Sequence, residues 1–391
     1  MSVFFFRPLP WEYGIRNLIR RPARTLLTLA ALTVAVLLVL VVVAFVRGLE
    51  SSLSVSGRAD VALVHSLGTT ENMEYSSVAA STADLLAASV PGIGQNYGSK
   101  FVSAELYLGT QATSASHPAP SMALVRGVGL SALYVRPAVQ IVDGHWPNPG
   151  EVLVGRLAGS KLGWDRQELE IGRMLNFEGR RWRVSGHFAA QGAVFESEMW
   201  CPLPDLQQAM KRQDVSVIAV RLAPAGRFAD LDLFCKERKQ LEIEVVREQS
   251  YYELLHRHYR PVRTMSWLVV AMVSGAGLFA GWNAMYAAVV GRVRELATLQ
   301  TLGFLRRAIA LSLVEEAAVL GAAAAILAAW AALLLVNGQA VRFTMGAFAL
   351  RVDAVALLIG CGVSLLLGIA GALPAAVRAM RMPVVEGLKA V

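Results

Sequence analysis

From Thr25 to Val46 the chain runs for 22 residues without one charged side chain. At about 1.5 Å per residue, a helix of that length reaches roughly 30 Å, the thickness of the hydrocarbon core of a bilayer. A cleaved targeting signal would have an apolar stretch of only about 7–15 residues and then a small-residue cleavage site. Here Arg47-Gly48-Leu49-Glu50 follows directly, so the sequence predicts an uncleaved membrane anchor. Three further runs meet the same criterion: Met265 to Val290, Ile309 to Val336, and Ala354 to Val377, the last with Pro374 near its end. The bulk composition agrees, because 55% apolar and 17% charged residues are wrong for a soluble enzyme.

A net charge of +8 could point to nucleic acid, but the basic residues sit beside the apolar runs, which is the membrane pattern. Arg7, Arg16, Arg20, Arg21 and Arg24 precede the first run, and Arg292, Arg294, Arg306 and Arg307 separate the second from the third. Both segments are therefore expected in the cytoplasm. Arg378, Arg381 and Lys389 put the tail there too, so the predicted class is an integral membrane α-helical protein with four spans and both termini inside. The predicted organisation is an amphipathic helix over 1–24, spans over 25–47, 263–290, 308–336 and 354–377, and a cytoplasmic helix over 291–307. A short outer loop over 337–353 and a cytoplasmic tail over 378–391 complete it.

Residues 48–262 differ in composition, with charge, Gly, Pro and short alternating runs, and are expected to fold as a large mixed α/β extracytoplasmic domain between the first two spans. Strands are expected over Val61–His65, Met122–Val128, Glu151–Val154, Arg181–His187, Val215–Leu222 and Leu241–Arg247. Helices are expected over Thr82–Ser89 and Asp205–Arg212, and exposed loops over Ser66–Met73 and Ala112–Pro120. Cys201, Cys235 and Cys361 have no metal-ligand spacing, and Cys201 and Cys235 read as free, partly buried thiols rather than a bridge.

Four features bear on mechanism. Apolar residues at 293, 296, 297 and 300 to 304 give a rough helical stripe between the second and third spans, with Gly303 as a natural stop. Trp11 and Tyr13 among the N-terminal arginines suit a helix lying at the headgroups, with membrane lipid as its partner. Gly277 with Gly281, and Gly360 with Ser364 and Gly368, recur at the four-residue spacing that lets helices approach closely. Glu315 and Glu316 lie well inside a span, where a carboxylate costs a few kcal/mol unless paired, protonated or near the interface. Arg292, Arg294, Arg306 and Arg307 are the nearby cations that could pair with them.

No catalytic constellation emerges. Gly92 to Lys100 lacks the order of a phosphate loop, which needs Lys directly after the second Gly and then Ser or Thr. His256 and His258 are two apart, a spacing that splays two rings on a helix, so no metal site is expected. Neither an enzyme activity nor a cofactor is expected on this chain.

The chain resembles the FtsX/MacB/LolC superfamily of ATP-binding-cassette permeases, in which one helix, a large periplasmic domain and three helices follow in order. Arg292-Val293-Arg294-Glu295-Leu296-Ala297 continuing through Leu299 to Leu302-Gly303, then Leu313-Val314-Glu315, is similar to the family's RxREIAxLRxLG and (I/V)E signature. Arg16-Asn17-Leu18 to Thr28, Leu373-Pro374-Ala375 and Pro383 to Leu388 resemble its entry and closing segments. Val125 to Val128, Asp143 to Pro147 and Gly150 to Gly155 are similar to turns and strands of its outer domain.

The resemblance implies a MacB-like periplasmic domain and a bacterial inner-membrane permease. Because no ATPase lies on this chain, it implies two copies of a separate ATPase subunit that carry the ATP and Mg. It makes 291–307 the coupling helix, with Arg292, Val293, Arg294, Glu295, Leu296, Ala297, Leu299, Leu302 and Gly303 serving the ATPase contact. It also implies a second permease chain, identical or homologous, with room for a periplasmic adaptor or lipoprotein and no nucleic acid. ATP-driven motion would then act on an amphiphilic cargo outside the membrane, a lipoprotein, lipid, peptide or drug. The alternative is FtsX-like signalling to a periplasmic hydrolase without transport.

Overall fold

The computed structural model describes residues 11–343 and 346–381. In chain order its helices are α1 (Trp11–Arg20), α2 (Pro22–Ser56), α3 (Thr82–Ser89), α4 (Ser131–Val135), α5 (Ala158–Leu162) and α6 (Leu203–Met210). They continue as α7 (Phe228–Glu237), α8 (Glu248–His258), α9 (Arg260–Val290), α10 (Val293–Thr301), α11 (Arg306–Leu335) and α12 (Ala354–Arg381). The strands begin with β1 (Val61–Ser66), β2 (Val78–Ala79), β3 (Gln95–Asn96), β4 (Ser99–Lys100), β5 (Val102–Ser114) and β6 (Ser121–Val128). Next come β7 (Gln140–Gly144), β8 (Glu151–Gly155), β9 (Met174–Phe177), β10 (Arg180–Ala189) and β11 (Glu198–Pro202). The series ends with β12 (Asp214–Val215), β13 (Val217–Arg221), β14 (Ile243–Arg247), β15 (Ala340–Phe343) and β16 (Gly346–Ala349).

Contacts divide the chain into two units, Met1–Arg47 with Pro261–Gln339 and Leu350–Val391, and Gly48–Arg260 with Ala340–Ala349. In the first, α2, α9, α11 and α12 are each long and apolar enough to cross a membrane. Their small residues sit where backbones meet. A Cβ added at Gly368 would lie 2.7 Å from the carbonyl oxygen of Ala317, and one at Gly360 would lie 2.6 Å from Leu40. Gly277 faces Ala35 and Leu367, and Gly281 faces Gly371. Ser364 Oγ donates to the Gly321 carbonyl at 2.7 Å, which satisfies its hydroxyl inside the bundle. Where the apolar stretches of α2 and α12 meet at one end, Arg47 donates to the Asp353 carboxylate, which also accepts the Ala356 N–H at 2.9 Å.

The second unit is built on a ten-stranded mixed sheet in the order β14-β1-β13-β5-β6-β11-β8-β10-β7, with β9 pairing β10 and β5. One core gathers Leu106, Val125, Val154, Trp182 and Met199 under α5 and α6, and a second gathers Val64, Leu86, Ile218, Val220 and Leu231 under α3 and α7. Both form because these strands alternate or run apolar toward a covering helix.

Several expected boundaries change. The first apolar helix does not stop at residue 47 but continues to Ser56, and α1 ends at Arg20 with Pro22 already opening α2. The loop expected over Ala112–Pro120 starts inside β5: Ala112 is buried, and Thr113 and Ser114 pair with Asn176 and Leu175. Backbone pairing across the sheet overrides the polar composition there. The loop expected over 337–353 holds the hairpin β15-β16, which belongs to the second unit. Lys161 donates to the Phe343 carbonyl at 2.9 Å, and Arg342 donates to the carbonyls of Lys161 and Leu162 at 2.8 and 3.0 Å. Cys201 and Cys235 are unbridged and fully rather than partly buried, and burial pushes the Cys235 thiol up to about 11. The closing segment from Pro383 to Leu388 lies outside the described residues.

Candidate functional site

The segment expected over 291–307 folds as α10 flanked by turns. Gly303 adopts φ +93, a left-handed conformation that suits glycine, and its N–H bonds to the Gln300 carbonyl to end the helix. α10 is two-faced. Leu296 and Ala297 are buried, Leu296 in a cluster with Met285, Val289, Ile309, Leu313 and Ala375 that Leu299 flanks. Arg294, Glu295, Thr298, Leu302 and Gly303 are exposed, and Val293 is half-buried.

Arg292 is not on the exposed face with the other arginines. It is 4% exposed, and its guanidinium grips Glu316 with two bonds of 3.0 and 3.2 Å while a third reaches the Asn17 carbonyl at 3.5 Å. Glu316 sits about 15 Å along α11, given the helical rise. An unpaired carboxylate buried there would be costly, so the fork-shaped guanidinium is the group that suits it. Asn17 belongs to α1, and a Cβ added at Gly14 of the same helix would lie 3.9 Å from Glu316 Cβ. One buried arginine therefore ties α1, α10 and α11 together.

Among the residues expected to face an ATPase, Arg292, Leu296 and Ala297 are instead internal, because helical periodicity turns them toward α11 and α12. Arg294, Glu295, Leu302 and Gly303 remain available to a partner. Of the two intramembrane carboxylates, Glu316 is the paired one; Glu315 is half-buried and forms no ion pair among the described residues.

The second unit contains a charge network that the sequence did not suggest. Arg126 on β6 forks onto Glu198 of β11 at 2.7 and 2.6 Å and reaches Glu105 of β5 at 2.8 Å. Arg136, just after α4, pairs with Glu105 and, at 3.3 Å, with Glu248, the first residue of α8. All five groups are at most 7% exposed. Burial raises the Glu105 carboxyl, but Arg136 and Arg126 outweigh it and hold that group below the ordinary range. For Glu248 burial wins and its carboxyl is raised; among the described residues its side chain is met by Arg136 and the Arg58 N–H, each at 3.3 Å. Three carboxylates face two arginines, and Glu248 is the one whose carboxyl burial holds above its ordinary range.

The direction sets a pH dependence. A carboxyl raised by folding stabilises the fold fully below its ordinary titration range, and that contribution is lost as pH rises through the folded value. Thermal midpoints of wild type and E248Q, measured from pH 4.5 to 8, should therefore diverge, with wild type falling relative to E248Q as pH rises. Parallel curves, or a relative gain for wild type, would mean that folding does not raise the Glu248 carboxyl.

Among the described residues no group of His, Cys, Asp or Glu is placed to hold a metal ion. A profile of the MacB-like periplasmic core domain matches residues 25–231, more than half of the chain. The periplasmic region of MacB from Actinobacillus actinomycetemcomitans is similar at 11% identity and a TM-score of 0.39, covering 51% of this chain and 94% of that one. The extracellular domain of the ABC-type transporter YknZ from Gram-positive bacteria is similar at 17% identity and a TM-score of 0.37, covering 48% and 99%. No curated protein matches significantly. By the profile match, together with its four long apolar helices, this chain belongs to the MacB-like periplasmic core domain family, the ABC-transporter permeases of the MacB, FtsX and LolC type, and is a membrane protein with a large extracytoplasmic domain.

Proposed function

We propose that this chain is the permease subunit of a mechanotransmission transporter in the bacterial inner membrane, with both termini in the cytoplasm. A separate ATPase, present in two copies and holding the ATP and Mg, docks on the exposed side of α10. Two permease chains, identical or homologous, form the membrane part. Movement of α10 passes through the membrane helices to the extracytoplasmic domain, which extracts or exports an amphiphilic cargo such as a lipoprotein, lipid, peptide or drug. This chain supplies no catalytic group.

The observation that carries the proposal is the division of α10 into an exposed face bearing Arg294, Glu295 and Leu302 and an internal face locked to α11 by Arg292 and Glu316. A helix so held cannot move without carrying its neighbours, because packed, hydrogen-bonded elements shift as bodies. The test is E295R in the complex of this chain with its ATPase, reconstituted in nanodiscs. ATP hydrolysis should fall at least tenfold while the thermal midpoint of the isolated chain stays within about 1 °C, as expected for an exposed surface change. Unaltered hydrolysis with a normally assembled complex would refute the docking role.

A further inference from the structure

A groove of about 570 Å³ opens at the end of the sheet where β1 begins and β13 and β14 finish. That volume is in the range of small-molecule sites. Asp60, Arg221, Arg227 and Arg247 line it, with Leu222 and Pro224 as an apolar patch. The charges do not balance. Asp60 takes two bonds of 2.8 Å from Arg58 and one of 3.0 Å from Arg221, and Arg227 lies 3.5 Å from Asp230. Arg247 has no carboxylate partner among the described residues; it donates to the Ala59 carbonyl at 3.3 Å and stacks on Phe228 at 4.5 Å.

Three arginines thus line the groove against one aspartate, a surplus of two positive charges. The surplus is local, because residues 48–260 carry 21 Lys and Arg against 23 Asp and Glu. The wall carrying Arg227 is also preformed. Gly92 and Gly226 pack so closely that a Cβ on Gly226 would lie 2.1 Å from the Gly92 carbonyl oxygen, and the Ala223 N–H bonds to that same carbonyl at 2.9 Å. A rigid turn that holds the exposed Arg227 beside Arg247, which has no carboxylate partner among the described residues, suits an oxyanion, which arginine forks bind in two-point fashion.

We propose that this groove binds a phosphate group carried by a molecule whose apolar part rests on Leu222 and Pro224. The phosphate comes either from a lipid headgroup or from a water-soluble phosphate ester. Inorganic phosphate is the first probe, added to the full-length protein in a maltoside detergent and followed by phosphorus-31 line broadening. Saturable broadening is expected, weakened at least fivefold in R247Q and in R227Q, and kept in R166Q, whose residue lies away from the groove. Arg227 is 79% exposed, so R227Q remains a fair test should R247Q fail to fold. Broadening that does not saturate, or that survives both substitutions, overturns the proposal. For the source, retention of radiolabelled phosphate is compared in phosphatidylcholine and phosphatidylglycerol nanodiscs. Loss of retention in phosphatidylglycerol identifies the headgroup, equal retention identifies a soluble ester, and either result supports the groove.

Discussion

Changing Glu316 to alanine should destabilise the helical unit by about 3–5 kcal/mol, because it leaves the Arg292 guanidinium buried without its anion. The two bonds between these groups contribute less than that figure, which mostly reflects the charge left stranded. The same reasoning makes the double variant R292M/E316M nearly as stable as wild type, since removing both charges and filling the space with apolar atoms avoids the penalty. A double-mutant cycle on the purified protein in neutral detergent, read by thermal or denaturant unfolding, checks both statements. If E316A alone costs under about 0.5 kcal/mol, the pair does not hold α10 and α11 together. The double variant should keep the fold while removing the Arg292 bond to the Asn17 carbonyl, which loosens α10 from α1.

Substituting Arg126 with methionine should have a comparable effect on the extracytoplasmic domain. Arg126 is the shared partner of Glu105 and Glu198, and methionine leaves both carboxylates with one cation fewer. Glu105 still has Arg136, whereas among the described residues Glu198 retains only the Trp200 indole N–H at 2.8 Å. The guanidinium also lies 4.6 Å from the Tyr107 ring centre, so a cation–π contact is lost as well. A loss of about 3–5 kcal/mol corresponds to a drop in thermal midpoint on the order of 10 °C for a domain of this size. E198Q in the R126M background should recover part of it. A midpoint within about 2 °C of wild type for R126M would mean that the network is wet and weakly coupled.

The four long apolar helices were legible because a charge-free run long enough to span hydrocarbon has few other uses. α10 was legible through its arginines and Gly303. Its inner and outer faces were not, because Arg292 looks in sequence like any other basic residue near a span. The clue was Glu316, a carboxylate too deep in an apolar helix to be left alone, with Arg292 among the nearby cations. The network in the second unit left a fainter trace: Arg126 stands inside an otherwise apolar strand, Ala123 to Val128, and Glu105 lies between Ala104 and Leu106. A charge on the inward side of a strand demands a partner, but sequence does not say which of many opposite charges supplies it. β5 was missed for another reason. Its last residues are polar and become strand only because β6 and β9 lie alongside, a fact of long-range pairing rather than of local preference.

The hairpin β15-β16 makes the extracytoplasmic domain a fold of two chain segments separated by 261–339. During synthesis at roughly 5–20 residues per second, the ribosome needs roughly 4–16 s after finishing residue 260 before the hairpin emerges. Until then Lys161 lacks its Phe343 acceptor and the carbonyls of Lys161 and Leu162 lack Arg342. Completion of this domain therefore depends on a strand pair that is made only after the third long helix.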